Sequence, residues 1–222
     1  MPPRAPRARP GDSGDREGDS VIAERIGLPG GVVELLRPPD AEALITDEAF
    51  EHEEFLPYWA ELWSSGVALA HDVSMRALSG RPTLELGCGL GLPSIAAARA
   101  GGRVLATDWA PDAVEATAAN AERNGVEVET LRCSWEEPEA IVERGPWPLV
   151  LASDVLYEAR NVALLLDLLP RLVDASGLVL IADPGRVPAE RFVAAAPDHG
   201  WTVRSVASPR ANRVLIHRLK RT

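Results

Sequence analysis

Residues 1 to about 20 carry almost no apolar side chain, and from Val32 onward apolar positions recur in short regular runs. Val32 to Leu36 reads as a short strand, Pro38-Pro39-Asp40 breaks it, and 41–45 fits a helical turn or a second strand. Val67, Leu69, Ala70, Val73, Ala77 and Leu78 fall at helical spacing and predict a helix over 67–78. Two periods then alternate. Apolar runs predict strands over 83–86, 103–107, 127–132, 149–153 and 177–182, with helices near 92–100, 111–124, 158–169 and 188–196. Pro111 suits a first helical turn, Gly125 a C-terminal cap, and Pro170 should break or kink its helix. Strands over 201–206 and 213–217, joined by Ser208-Pro209-Arg210-Ala211-Asn212, close the chain without a helix between them. The predicted class is α/β: a doubly wound, mostly parallel seven-stranded sheet with a terminal antiparallel strand pair. The expected organisation is a disordered tail over 1–20 and one domain over 21–222, with a lead-in and cap segment to residue 80 and the core sheet after it.

Charge and cysteine content narrow the classes. A net charge of −10 weighs against nonspecific attraction to nucleic acid or an anionic membrane. No run approaches the length of a membrane span, and the basic N-terminus lacks the apolar core of a secretory signal. Cys88 and Cys133 are too few for a disulfide framework and read as free thiols in a reducing compartment, the cytoplasm. Neither these two nor His52, His71, His199 and His217 show metal-ligand spacing, so no metal is expected.

The chemistry sits where strands end. In an open parallel sheet, ligands lie beyond the C-terminal strand ends. Gly87-Cys88-Gly89-Leu90-Gly91 follows the first strand, Asp108-Trp109 the second, and Cys133-Ser134-Trp135 the third. Ser153-Asp154-Val155-Leu156-Tyr157 follows the fourth and Asp183-Pro184-Gly185-Arg186 the fifth. A loop with Gly at alternate positions lets a ligand approach the backbone. Asp108 is placed to accept from ribose hydroxyls, at a strand end expected to lie outside the core. Position 92 is Leu where the dinucleotide fingerprint has its last Gly, and Glu85 precedes the loop. A carboxylate there repels pyrophosphate and suits a cationic or zwitterionic nucleoside such as S-adenosylmethionine (SAM).

The E-x-G-x-G-x-G pattern from Glu85 to Gly91, with Asp108 beyond it, resembles the class I SAM-dependent methyltransferases. Adding Trp63-x-x-Gly66, Trp135 and Asp154-x-x-Tyr157 makes the chain similar to the seven-strand protein-lysine methyltransferases that carry a D/E-x-x-Y motif. The resemblance spans about Phe55 to Arg186. Within it, Phe55-Leu56-Pro57-Tyr58-Trp59-Ala60 and Asp183-Pro184-Gly185-Arg186 look nearest the branch acting on the electron-transfer flavoprotein β subunit. It implies that Trp63, Gly87, Cys88, Gly89, Asp108, Trp135 and Ser153 line a SAM pocket, and Gly66, Glu85, Trp109 and Ser134 are further candidate cofactor contacts. It also implies that Asp154 and Tyr157 are catalytic, and that the acceptor is a lysine on a soluble protein. Asp183 and Arg186 are candidate substrate contacts, Arg186 as a planar fork for a carboxylate or carbonyl, with Glu51, Glu53, Glu54 and Glu61 steering a lysine-bearing surface. Ser134 departs from the family, which often has an acid before this Trp. The Asn/Asp-Pro-Pro-Tyr motif of base and glutamine amino-methyltransferases is absent after the fourth strand.

Structural alternatives stand beside these roles. Trp63, Trp109 and Trp135 can serve packing alone, Asp154 can cap the helix near Glu158, and Asp183 with Arg186 can be a loop staple. Other functions open on the same fold are a small-molecule N- or O-methyltransferase, a SAM-binding protein without catalysis, and an NAD(P) oxidoreductase.

Overall fold

The computed structural model describes residues 21–40 and 57–222. The expected tail over 1–20, the segment 41–45, and Glu51, Glu53, Glu54, Phe55 and Leu56 lie outside the described residues. The chain opens with a hairpin of β1 (Ile22–Leu28) and β2 (Gly31–Arg37), which pair antiparallel over all seven residues. Only β2 was expected from the sequence. The turn between them holds Gly30 and Gly31, both at positive φ. The outer edge of β2 is closed by two amides. Asn120 Oδ1 accepts from Leu36 N at 2.7 Å and its Nδ2 donates to Leu36 O at 3.2 Å. Asn124 makes the same pair of bonds to Glu34 N and O, at 3.1 and 2.7 Å. Two helix-borne amides thus supply bonds that a neighbouring strand would give.

The helix expected over 67–78 is α1 (Ser64–Ser74), which starts and ends earlier. Leu78 is buried beyond its end, so its apolar character serves a loop. There follow β3 (Pro82–Leu86), α2 (Leu92–Arg99), β4 (Arg103–Asp108), α3 (Pro111–Arg123), β5 (Glu129–Arg132) and a short α4 (Glu139–Val142). Then come β6 (Leu149–Ser153), α5 (Ala159–Leu172), β7 (Leu178–Asp183), α6 (Val187–Ala195), β8 (Trp201–Ala207) and β9 (Leu215–Arg221). Helix α5 runs through Pro170 to Leu172 instead of ending at the proline. Pro170 costs one donor near the helix end, and the buried Leu166, Leu169 and Leu172 hold the last turn against the core. The final strand lies over 215–221, later than the expected 213–217, because 208–214 is spent turning the chain.

The sheet order is β5-β4-β3-β6-β7-β9-β8. Strands β3 to β7 pair in parallel, and β9 inserts antiparallel between β7 and β8. Two cores lie on the two faces. Leu149 and Leu151 face α1, α2 and the hairpin, while Val150 and Ala152 face α5 and α6. A strand buried on both faces explains the unbroken apolar run of β6. The same alternation sends Leu84 and Leu86 to one side of β3 and Glu85 to the other, toward α2. Chain order reverses between β3 and β6, and the crevice at their C-terminal ends is the switch point at which such sheets bind ligands.

Candidate active site

A cavity of about 630 Å³ opens at this crevice, within the range of small-molecule sites. Its floor is the loop between β3 and α2. Gly89 has φ of +50°, and an added Cβ would stand 3.2 Å from Trp59 O. Gly91, at φ +81°, caps α2, and an added Cβ would meet Thr117 Cγ2 at 2.7 Å. No larger residue fits at either of these two positions without strain. The loop is tied from α3: the Thr117 hydroxyl donates to Gly89 O at 2.9 Å and Asn120 Nδ2 to Leu90 O at 3.0 Å.

One wall belongs to β4. Asp108 Oδ2 accepts from Gly89 N, and Oδ1 from Ala110 N, each at 3.0 Å. The residue is nearly buried, which corrects the expectation of a strand-end acid outside the core. Its carboxylate organises the loop, and burial outweighs these donors to push its pKa up. The backbone N–H of Trp109 also bears on this carboxylate, and Asp108 lines the cavity. Trp109, Ser134 and Trp135 line the same side.

The opposite wall belongs to β6. Asp154 has φ of +57°, uncommon for a residue with a Cβ. It does not cap α5; its Oδ1 accepts from Arg186 Nη1 at 2.7 Å. Oδ2 and the Ser65 hydroxyl of α1 are both buried, and neither has another hydrogen-bond partner. Burial raises the Asp154 pKa, and Arg186 pulls it back, with a smaller pull from the Ser65 hydroxyl on α1. Tyr157 stands at the mouth, its ring 5.5 Å from that of Tyr58, which is 6.5 Å from Trp63. Trp63 Nε1 donates to Tyr58 O at 2.8 Å. Burial pushes the Tyr157 phenol above its usual value, so it stays protonated near neutrality.

Of the sequence-predicted residues, Trp63, Gly66, Gly87, Cys88, Gly89, Asp108, Trp109, Ser134, Trp135, Ser153, Asp154 and Tyr157 all line the cavity. Three do not. Glu85 is fully buried beneath the loop, where the Ser94 hydroxyl of α2 donates to it, because its place in β3 points it at α2. Desolvation pushes its carboxyl up to about 8. Asp183 is fully buried and Arg186 is held by it, Nη1 to Oδ2 at 3.0 Å, so this loop is stapled as well as close to Asp154. Sequence reasoning missed Thr117, Asn120 and Asn161; the last donates to Val155 O at 2.9 Å behind Asp154. All three are polar residues on the buried faces of helices, a signal visible only once those faces are known. Among the described residues, no three His, Cys, Asp or Glu side chains gather as metal ligands. Nor is any helix among them long and apolar enough to cross a membrane.

A family model described as lysine methyltransferase matches residues 27–195. The electron transfer flavoprotein beta subunit lysine methyltransferase of Xenopus laevis is 38% identical over 136 residues, 59% of this chain and 53% of that protein. Protein N-lysine methyltransferase METTL21A of Danio rerio is 31% identical over 130 residues, 55% of this chain and 59% of that one. The chain thus spans about half the length of the curated relatives it matches. Among solved structures, a ribosomal protein L11 methylase from Lactobacillus delbrueckii subsp. bulgaricus superposes with TM-score 0.59 at 20% identity, over 73% of this chain and 80% of that one. The T. Thermophilus 16S rRNA N2 G1207 methyltransferase, solved with AdoMet and guanosine, superposes with TM-score 0.68 at 13% identity, over 92% of this chain and 52% of that one. At these identities the likeness is one of fold.

Proposed function

The chain belongs to the lysine methyltransferase family, and from that premise we propose that it methylates a lysine side chain of a protein, with SAM as donor. The observation that carries the reading is the pairing of two acids on opposite walls of one cavity: Asp108 ends β4, Asp154 ends β6, and the glycine loop lies between.

The residues present fit SAM. Asp108 offers its remaining acceptor capacity to ribose hydroxyls. The loop admits a ligand to within contact of its backbone. Trp109 and Trp135 offer aromatic faces on the Asp108 side. SAM supplies a methyl group already activated on a sulfonium, so the protein's tasks are to orient, desolvate and manage a proton. Asp154 and Tyr157 hold the acceptor nitrogen. The rings of Tyr58, Trp63 and Tyr157 sheathe the methylene stem of the lysine at the mouth. A free lysine has a pKa near 10.4, so fewer than about one in a thousand is neutral at pH 7. The site must take the amine with its lone pair exposed.

The electron-transfer flavoprotein β subunit is the first candidate substrate, on the strength of the relatives' names. The cytoplasm belongs to the same reading, supported by two free, buried thiols. The test is incubation of the purified protein and methyl-labelled SAM with extract from a strain lacking the protein, against the same mixture without the protein. A labelled protein band supports the reading, and label confined to small molecules replaces it with small-molecule methylation. Mass spectrometry of the β subunit decides the named candidate: no added methyl at any lysine removes it.

A further inference from the structure

After Asp198 the chain holds six arginines and lysines and no Asp or Glu, in a protein of net charge −10. These residues sit on the β8–β9 hairpin, and the strand register sorts them by face. Arg204 on β8 pairs with Arg218 on β9, and Lys220 lies two residues farther along β9 on the same face. That face is the α1 side, because Arg218 Nη2 donates to Asp72 Oδ1 of α1 at 2.8 Å. Arg221 points the other way, over the Trp201 ring. Asp72 is the only acid on α1, and it is shared, its Oδ2 accepting from Arg76 Nη2 at 2.7 Å. Burial first, and then the charge of Arg210 at the hairpin tip, lower the pKa of His71 on α1 and keep it neutral. Arg204, Arg210 and Lys220 are exposed, and none pairs with a carboxylate among the described residues. Two arginines directly opposite on paired strands repel. Protection of a sheet edge accounts for a charge on β8, the outermost strand, but not for Arg218 and Lys220 on β9, one strand in.

The stripe is continuous with the cavity's end of the sheet. Leu215 pairs with Asp183, so the hairpin tip stands where β7 ends. An added Cβ on Gly185 would stand 4.0 Å from Arg213 O, so tip and Asp183–Arg186 loop adjoin. Strand β8 is three places from β6 in the sheet, ~14 Å at about 4.8 Å per strand. We propose that the α1 side of the β8–β9 hairpin, through Arg204, Arg210 and Lys220, docks an acidic surface patch of the protein whose lysine is methylated. The proposal rests on the protein-lysine reading above. The patch it fits presents several carboxylates within about 20 Å of the target lysine. Charge complementarity favours a folded protein over a nucleic acid. The stripe is bounded by one hairpin, and a phosphate backbone running past it meets a chain that carries all 33 of its acids elsewhere. Paired charges of this kind orient a partner and speed its encounter, and the stripe takes no part in methyl transfer itself.

Arg204→Glu combined with Lys220→Glu reverses the stripe at two exposed positions away from the cavity. A Glu at 204 faces Arg218 across the strand pair, so the hairpin should hold, with melting temperature and calorimetric SAM affinity unchanged. Wild type and double variant are each incubated with methyl-labelled SAM and extract from a strain lacking the protein. At about 50 mM KCl the variant should label protein about tenfold more slowly, and at about 300 mM the gap should fall below about threefold as screening weakens the wild type. Raising the extract concentration should narrow the gap too, since docking acts on KM and not on kcat. Binding without turnover is read from the anisotropy of a rhodamine-labelled peptide of alternating Glu and Ser, which should bind the wild type about fivefold more tightly than the variant. Equal labelling rates on protein, or equal peptide affinities, overturn the proposal. A single-stranded RNA of equal net charge that binds the wild type more tightly than the peptide, and loses that binding in the variant, makes the stripe a nucleic-acid surface and overturns it as well. Arg210→Glu tests the tip separately and should also slow labelling; if the double variant does not fold, unchanged labelling by Arg210→Glu overturns the proposal. Label confined to small molecules with the wild type removes the protein-lysine reading and this proposal with it, whereas labelled protein at equal rates removes the proposal alone.

Discussion

Replacing Glu85 with Gln should flatten the pH dependence of stability without loosening the cofactor site. The Glu85 carboxyl is fully buried between β3 and α2. One oxygen accepts from the Ser94 hydroxyl and the other has no partner. Desolvation, aided slightly by the charge of Asp108, pushes the native carboxyl from an ordinary value of 4.5 to about 8. Between those values the native state holds a proton that the unfolded chain has released, so stability falls as pH rises across the window. At about 1.4 kcal/mol per pH unit, the loss reaches ~3 kcal/mol by pH 7 and ~5 kcal/mol above pH 8. Gln keeps the shape and the acceptor for Ser94 but cannot ionise. Its amide nitrogen sits where the carboxylic O–H sat, and any cost of leaving it unpartnered, about 1–3 kcal/mol, does not change with pH. The variant should therefore match or fall below the wild type near pH 5 and exceed it near pH 8. Urea unfolding at five pH values between 5 and 9 measures this, because the other titrating groups cancel in the difference between the two proteins. Parallel stability curves would refute the argument and show a native Glu85 that is ionised. Calorimetric SAM affinity should stay within about threefold of wild type, since Glu85 is not on the cavity wall.

Asp154→Ala should abolish methyl transfer while leaving SAM affinity within about tenfold; full activity in the labelled-extract assay would reduce Asp154 to a structural role. Asp108→Ala should weaken SAM binding by about 1.5–3 kcal/mol, the range for hydrogen bonds to a charged group. It should also lower the melting temperature, because Gly89 N and Ala110 N lose their acceptor; an unchanged calorimetric affinity would take the ribose from Asp108. Gly91→Ala should cost about 2–4 kcal/mol from positive φ and overpacking. Adding Thr117→Ser, which removes the 2.7 Å Cγ2 contact, should recover part of it in urea unfolding; no recovery would leave backbone strain as the whole cause. SAM and S-adenosylhomocysteine should raise the melting temperature and NAD(H) should not; the reverse pattern would overturn the cofactor assignment.

The sequence by itself determined the chain's architecture and the place of its chemistry. Strand and helix periods are local, and a strand buried on both faces announces itself as the run from Leu149 to Ala152. Glycines at alternate loop positions and acids at strand ends were equally legible, because backbone geometry and strand direction dictate them. Partnership was not legible, because it joins residues far apart in the chain. Glu85 reads as a pocket acid in the motif, yet the two-residue period of β3 turns it into the core. Arg186 reads as a free fork, yet a loop 32 residues away places Asp154 within 2.7 Å of it. Asn120 and Asn124 read as ordinary helix polar residues, yet they close the edge of a hairpin 84 and 90 residues earlier. Local pattern fixes which face or strand end a residue occupies. Only the packing of one element on another decides which charge it meets, how dry it is, and therefore what it can do.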